Sequence, residues 1–332
     1  MKENRPIILW LISGCLLIFI MVIVGGITRL TDSGLSMVDW SIYGEFPTEK
    51  NILKSYNDWQ ESPQGKQLHS KDFEEFKKIY FWEYIHRMIG RLLGLVFIIP
   101  FIYFLVKKKL NKKLISQSLV LFSLGAMQGA IGWWMVKSGL VKNPDVSHFR
   151  LAIHLTTAFL TCAFTFWVAL PLIYRDKREG NKKLLKLTSW LFILVIIQII
   201  YGAFVAGLEA GKRFNSWPKM NGEWIPQAVY YLDPLWENFL EGPDGIQFIH
   251  RTLAFIIVAF VLYIWNKGRK LQKNYLQRKS LNILLALVIL QTVIGIFTLI
   301  LVVPISLALI HQLGAFLLLM SIVFSIFTFS KS

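Results

Sequence analysis

The chain has 332 residues, of which 55% are hydrophobic, 14% aromatic and only 17% charged. A mean hydropathy of +0.50 excludes an ordinary soluble domain, a disordered segment, a collagen-like repeat and a disulfide scaffold, and points to helices that lie in lipid. The net charge of +16 would suit a nucleic-acid binder in isolation, yet basic clusters between apolar spans are equally the marks of membrane topology.

Eight apolar stretches are long enough to cross about 30 Å of hydrocarbon. They run from Ile7 to Val24, Tyr80 to Val106, Leu114 to Val136, His148 to Tyr174, Leu187 to Leu208, Ile246 to Trp265, Leu281 to Val303 and Pro304 to Phe329. The first has a short basic start, Lys2 and Arg5, but no small-residue cleavage site follows it, so it reads as a full helix and not as a cleaved signal. The segments Lys107 to Lys113, Arg175 to Lys186 and Lys267 to Lys279 carry 5, 6 and 6 basic residues, whereas Thr31 to Ile79 and Glu209 to Gly245 hold more acids than bases. This asymmetry predicts that both termini are cytoplasmic. It also accounts for the positive charge, so no nucleic-acid partner is expected.

An internal repeat organises the chain. EYIHR (Glu83 to Arg87) recurs as QFIHR (Gln247 to Arg251), QGAIG (Gln128 to Gly132) as QTVIG (Gln291 to Gly295), and RLAIH (Arg150 to His154) as LALIH (Leu307 to His311). Gly34 stands six residues before Trp40 and Gly211 six before Trp217. The expected fold is an all-α integral membrane protein of eight transmembrane helices, built as two duplicated four-helix bundles over residues 1–180 and 181–332. Cys15 and Cys162 stand alone in apolar helices and read as small buried hydrophobes, with no disulfide or thiolate site implied.

Histidine carries the chemistry. His86, His154, His250 and His311 fall in alternate spans, each within the first two turns after entry from outside, which sets them roughly 6 to 11 Å below the outer helix ends. Four ionisable groups at one depth in a duplicated frame read as ligands in two pairs. Zinc would need more donors near each pair than the sequence offers. Haem iron accepts two axial imidazoles from facing helices, and its macrocycle suits apolar, aromatic walls. Arg87, Arg150 and Arg251 lie near these histidines and are the candidate partners of haem propionates, with a snorkelling role as the alternative. His69 reads as a loop residue and His148, at the membrane entrance, as a solvated helix start, with a propionate contact as the alternative.

The halves differ at one position. Glu83 stands three residues before His86, and Gln247 three before His250, on the helix face that carries the histidine. A buried acid beside one haem and an amide beside the other suggest a reacting haem in the first half and a spectator or electron-handling haem in the second. The alternative is a salt bridge from Glu83 to Arg87 on the next turn.

Together the motifs GGITRLTDSGLSM, FWEYIHRMIGRLLG, QGAIGWWMVKSGL, HFRLAIHL, VAGLEAGKRFNSWP, QFIHR and ALIHQLGA resemble the haem A synthase family, in the branch shared by proteobacteria and mitochondria. The resemblance covers nearly all of the chain. It implies an inner-membrane oxidoreductase that converts a ring methyl of haem O to a formyl group, by successive hydroxylations and loss of water, giving haem A for terminal oxidases. It further implies that His86 and His154 hold the substrate haem, that Glu83 is the catalytic acid, and that His250 and His311 bind haem b. Haem O synthase, cytochrome oxidase assembly proteins and membrane lipid are the partners that follow, and a homo-oligomer is compatible with it. Two departures stand out: the paired outer-loop cysteines of the other branch are absent, and WSIYG at Trp40 lacks the family's usual proline.

Two other classes fit less well. A di-haem b-type electron-transfer cytochrome would use the histidines, but it would leave Glu83 idle and would want haems near both faces. A transporter would need polar groups through the depth of the membrane. An apolar, farnesylated substrate predicts lateral entry from lipid beneath a cap formed by Thr31 to Ile79. The run EEFKKIYFWEY within it reads as an interfacial helix lying on the membrane.

Overall fold

A computed structural model describes residues 4–38, 46–68, 71–141, 145–174, 178–271 and 274–331. The architecture is all-α. Among the described residues eight helices are long and apolar enough to cross a membrane, and each overlaps one of the expected spans, with ends that differ by one to three residues where a span runs past its helix. They are α1 (Arg5–Leu30), α4 (Phe73–Val106), α5 (Lys112–Val141), α6 (His148–Ile173), α7 (Lys182–Gly207), α8 (Pro243–Leu271), α9 (Tyr275–Ile300) and α10 (Ile305–Phe329). Two short helices, α2 (Glu49–Gln60) and α3 (Pro63–Gln67), lie in the first long loop. The protein is an integral membrane protein. Large side chains such as Leu16 and Ile99 are exposed in the middle of these helices, an arrangement that lipid accepts and water does not.

One sequence expectation is corrected. EEFKKIYFWEY is not a separate helix lying on the membrane but the first turns of α4, which runs unbroken for 34 residues. Asp72 starts it, accepting from the Glu75 N–H, and Glu74 and Glu75 sit at the positive end of the helix dipole. At 1.5 Å per residue α4 is roughly 51 Å long, well beyond the hydrocarbon thickness.

The chain divides into two compact units, Arg5–Thr165 and Phe166–Ser332 with Met1–Asn4, the division falling inside α6. In the first, α1 packs along α4 and α4 against α5. Trp10 seats among Phe97, Phe101 and Phe104 of α4, with ring centroids 5.1 to 6.3 Å away. Cys15 and Cys162, both free thiols and far apart in sequence, approach one another. Each thiol reaches the other's backbone carbonyl, at 4.0 and 3.8 Å, and so ties α1 to α6. Outside the spans, Trp59 of α2 is buried against Phe76, Ile79 and Tyr80 of α4 and against Met37, and its indole N–H donates to Gln64 Oε1 at 3.1 Å. This cluster fixes the outer segment to the protruding turns of α4.

In the second unit α7, α8, α9 and α10 each pack on the next, and α10 returns to α7, closing a four-helix bundle. Its outer loop is held by Arg213, whose Nε and Nη2 both reach Asp244 at 2.9 and 3.1 Å. Burial of Asp244 and this two-point contact fix the entry of α8.

Candidate haem-binding sites

The four histidines are brought together as two pairs. His86 on α4 and His154 on α6 lie within electrostatic range of one another in the first unit, as do His250 on α8 and His311 on α10 in the second. His154, His250 and His311 sit six or seven residues into their helices, roughly 9 to 10 Å from the start. His86 comes thirteen residues into α4, because that helix begins at Phe73, seven residues before the apolar stretch that starts at Tyr80.

A repeated local device seats every one of them. Each imidazole rests on a glycine of the spanning helix before it, where a Cβ would crowd the ring and at Gly295 would displace it. A Cβ at Gly25 would meet His86 Nε2 at 3.2 Å, at Gly132 His154 Cε1 at 3.2 Å, at Gly202 His250 Cε1 at 3.2 Å, and at Gly295 His311 Cε1 at 2.7 Å. One turn before three of these glycines stands a glutamine whose side-chain amide donates to the backbone carbonyl of the histidine. Gln128 Nε2 reaches His154 O at 3.3 Å, Gln198 Nε2 reaches His250 O at 3.0 Å, and Gln291 Nε2 reaches His311 O at 2.9 Å. The sequence reading matched QGAIG to QTVIG but missed QIIYG (Gln198 to Gly202) and MVIVG (Met21 to Gly25), which complete the series at the same four-residue spacing.

Glu83 is buried and fully engaged. Its Oε2 accepts from Ser36 N at 2.8 Å and Met37 N at 3.0 Å, and lies 2.7 Å from Ser36 Oγ, while Oε1 pairs with Arg87. Arg87 also donates to Met37 O at 2.9 Å. The salt bridge on the next turn is therefore present, and the carboxylate serves the outer loop as well as the histidine face. In the second unit Gln247 occupies the same register, and its Nε2 donates to Phe214 O at 3.1 Å. Arg251 donates to the carbonyls of Ser216, Pro218 and Lys219 at 2.8 to 3.2 Å. Polarity is reversed between the two: the acid accepts loop N–H groups, and the amide donates to a loop carbonyl. Sequence reasoning missed Ser36 and Met37; they lie in TDSGLSM, whose turn residues gave no sign of their partner.

The remaining candidates separate. Arg150 donates to Trp134 O at 2.6 Å, with its guanidinium 4.4 Å from the centre of that indole. His148 is buried and packs on Phe149, with ring centroids 4.1 Å apart, so it is not a solvated helix start. His69 and Trp40 lie outside the described residues.

The donor set fits a haem. Nδ1 of His154, His250 and His311 is buried with no hydrogen-bond partner among the described residues, and so is Nη1 of Arg251. Unpartnered imidazole nitrogens in an apolar bundle are costly unless a ligand takes up the ring. Paired imidazoles from facing helices would be able to hold a haem iron, and Arg251 Nη1 would be available to a carboxylate.

Residues 8–323 match the COX15-CtaA family model, described as cytochrome oxidase assembly protein. The chain belongs to this family. Among its curated relatives, the protein named heme A synthase of Flavobacterium johnsoniae is 47% identical over 340 residues, covering 99% of both chains. That of Nitrosospira multiformis is 43% identical, covering 95% of this chain and 91% of the relative. That of Wolbachia pipientis wMel is 38% identical, covering 95% and 90%. Every site described above falls within the matched length, including both histidine pairs and the four glycines of this family member.

Proposed function

We propose that the chain is a haem A synthase, which oxidises a ring methyl of haem O to a formyl group and so supplies haem A for terminal oxidase assembly. His86 and His154 hold the substrate haem in the N-terminal half, and His250 and His311 hold a resident haem b in the C-terminal half, each half being a four-helix unit of a duplicated frame. We place the chain in the branch of the family without paired outer-loop cysteines, in the inner membrane with both termini cytoplasmic, working with haem O synthase and oxidase assembly proteins. The observation that carries the reading is the asymmetry of one register position: a buried carboxylate precedes His86 and an amide precedes His250.

The resident haem, when bound, supplies one-electron redox chemistry. The protein's own contribution begins with position. The glycine seats bring each imidazole close to the preceding helix, and apolar walls around a bound macrocycle would keep water from it. Glu83 supplies a fixed negative charge, held by Ser36, Met37 and Arg87, that stabilises positive charge developing beside it and can take up a released proton at a carboxylate oxygen. The outer segment carrying Trp59 and Met37 covers this end of the unit.

The experiment is to purify the protein and identify its extracted pigments by mass. Haem b together with haem O, haem A or an alcohol between them supports the reading; haem b alone favours the electron-transfer cytochrome. A local test addresses the second pair. Gly295→Ala places a methyl against the His311 ring, where only 2.7 Å is available to Cε1, so the ring must shift. We expect haem b to fall well below one per chain in this variant, read from the extracted pigment, while the first pair keeps its haem.

A further inference from the structure

Three of the four histidine-bearing helices are fastened to their neighbours by the same bond, and the fourth is not. Gln128, Gln198 and Gln291 each place a side-chain amide on the carbonyl of a histidine, one turn before the glycine on which that histidine rests. At the fourth position stands Met21, four residues before Gly25, with its methyl 3.7 Å from the Cβ position of Gly90 on α4. A thioether has no proton to donate, so no corresponding bond to His86 can form.

The glutamines are not idle filler. A primary amide inside a membrane helix is expensive, and Oε1 of both Gln198 and Gln291 is buried with no hydrogen-bond partner among the described residues. Placing an amide at this register three times, twice with a buried unpartnered oxygen, implies a gain elsewhere. The gain available is positional: each bond pins the turn that carries a histidine to the helix behind it. Gln128 is further fixed through Thr157 Oγ1 at 2.6 Å, and Thr157 also bonds back to its own helix at Ile153.

The imidazoles differ in the same sense. His154, His250 and His311 all present the Cε1 and Nδ1 edge to their glycine, whereas His86 presents Nε2 and Cδ2. A half-turn about the Cβ–Cγ bond interconverts the two arrangements.

We infer, on the basis of the haem pairs proposed above, that His86 is the labile ligand of the substrate site, and that Met21 is the positioning residue that makes it so. The second pair carries two fastenings and retains its haem; the first carries one. Haem O arrives at and haem A leaves from a site where His154 is held by its amide bond and the His86 ring, on a turn that lacks one, rotates about its Cβ–Cγ bond. Exchange thus follows from one omitted hydrogen bond, with no separate gate.

The test is haem transfer from the purified full-length protein to excess apomyoglobin, followed by absorbance. The wild type is expected to release haem in a fast and a slow phase, with His86 and His154 giving the fast one. Met21→Gln restores a donor and should slow the fast phase severalfold to about tenfold, as one buried amide hydrogen bond would. Met21→Leu adds no donor and should leave it as it is. Gln291→Met removes a fastening from the second pair and should speed the slow phase by a similar factor, which keeps the inference testable if Met21→Gln fails to fold. A fast phase unchanged by Met21→Gln, or a slow phase unchanged by Gln291→Met, overturns it. Mass analysis of the pigment in each phase decides the other question separately: haem b as the sole pigment overturns the function proposed above, while the two rate changes still decide the role of Met21.

Discussion

Glu83→Gln is expected to keep the haem content and spectrum of the protein while lowering conversion of haem O by a factor of about 10² or more. The reason lies in what the substitution preserves and what it removes. Shape is retained, and the second unit already shows a glutamine at the same register beside an arginine whose Nη2 is held by loop carbonyls. The outer loop can therefore still be gripped, with Arg87 keeping its bond to Met37 O. Charge is lost, and with it the capacity to stabilise a cationic transition state or hold a proton. Glu83→Ala is a different experiment. It leaves Arg87 buried without its counter-ion, at a cost of about 3 to 5 kcal/mol, so lost activity there would report unfolding as much as chemistry. Conversion of haem O by Glu83→Gln at the wild-type rate, with product identified by mass, would show that the carboxylate only fastens the loop.

The second large effect concerns the other half. Replacing either His250 or His311 by Ala is expected to abolish the low-spin bis-histidine signature of the haem proposed there, since among the described residues no group of three or more His, Cys, Asp or Glu forms around either ring. Gln198 and Gln291 stand nearest, but both are committed through Nε2 to the helix backbone. The measurement is the reduced-minus-oxidised absorbance spectrum together with haem b per chain. Retention of the signature in both single variants would remove this pair from the haem.

Much of this was legible in the sequence, and the limits have physical causes. The spans could be read because lipid demands long apolar helices, and the histidine pairs because an ionisable group in such a helix is conspicuous. Glu83 could be found by comparing repeats, but its partners could not: Ser36 and Met37 lie 47 and 46 residues away in a loop, and hydrogen bonds from backbone N–H groups leave no mark on residue identity. Burial of His148 escaped for a similar reason, since its neighbour Phe149 is apolar at a position that looked like a helix entrance. The glutamine series was visible in principle. Two members were read as a repeat, and the remaining two were hidden because one ends in Tyr201–Gly202 and the other begins with methionine. The paired thiols of Cys15 and Cys162 depend on the approach of α1 to α6, which no spacing of 147 residues announces.

The unbroken length of α4 makes the anchor of the outer segment and His86 parts of one rigid rod. Phe76 and Tyr80, packed under Trp59 outside, and Glu83, His86 and Arg87 within are successive turns of the same helix, with no Pro or Gly between Phe73 and Ile89 to absorb a bend. A load placed on the outer segment, by a docked protein or an antibody fragment, therefore reaches His86 as a tilt of its own helix and not through a flexible joint. Exchange of outer segments between family members should accordingly carry Phe73–Tyr80 along with residues 46–68, because a graft ending at the membrane surface would cut the lever between its handle and its load.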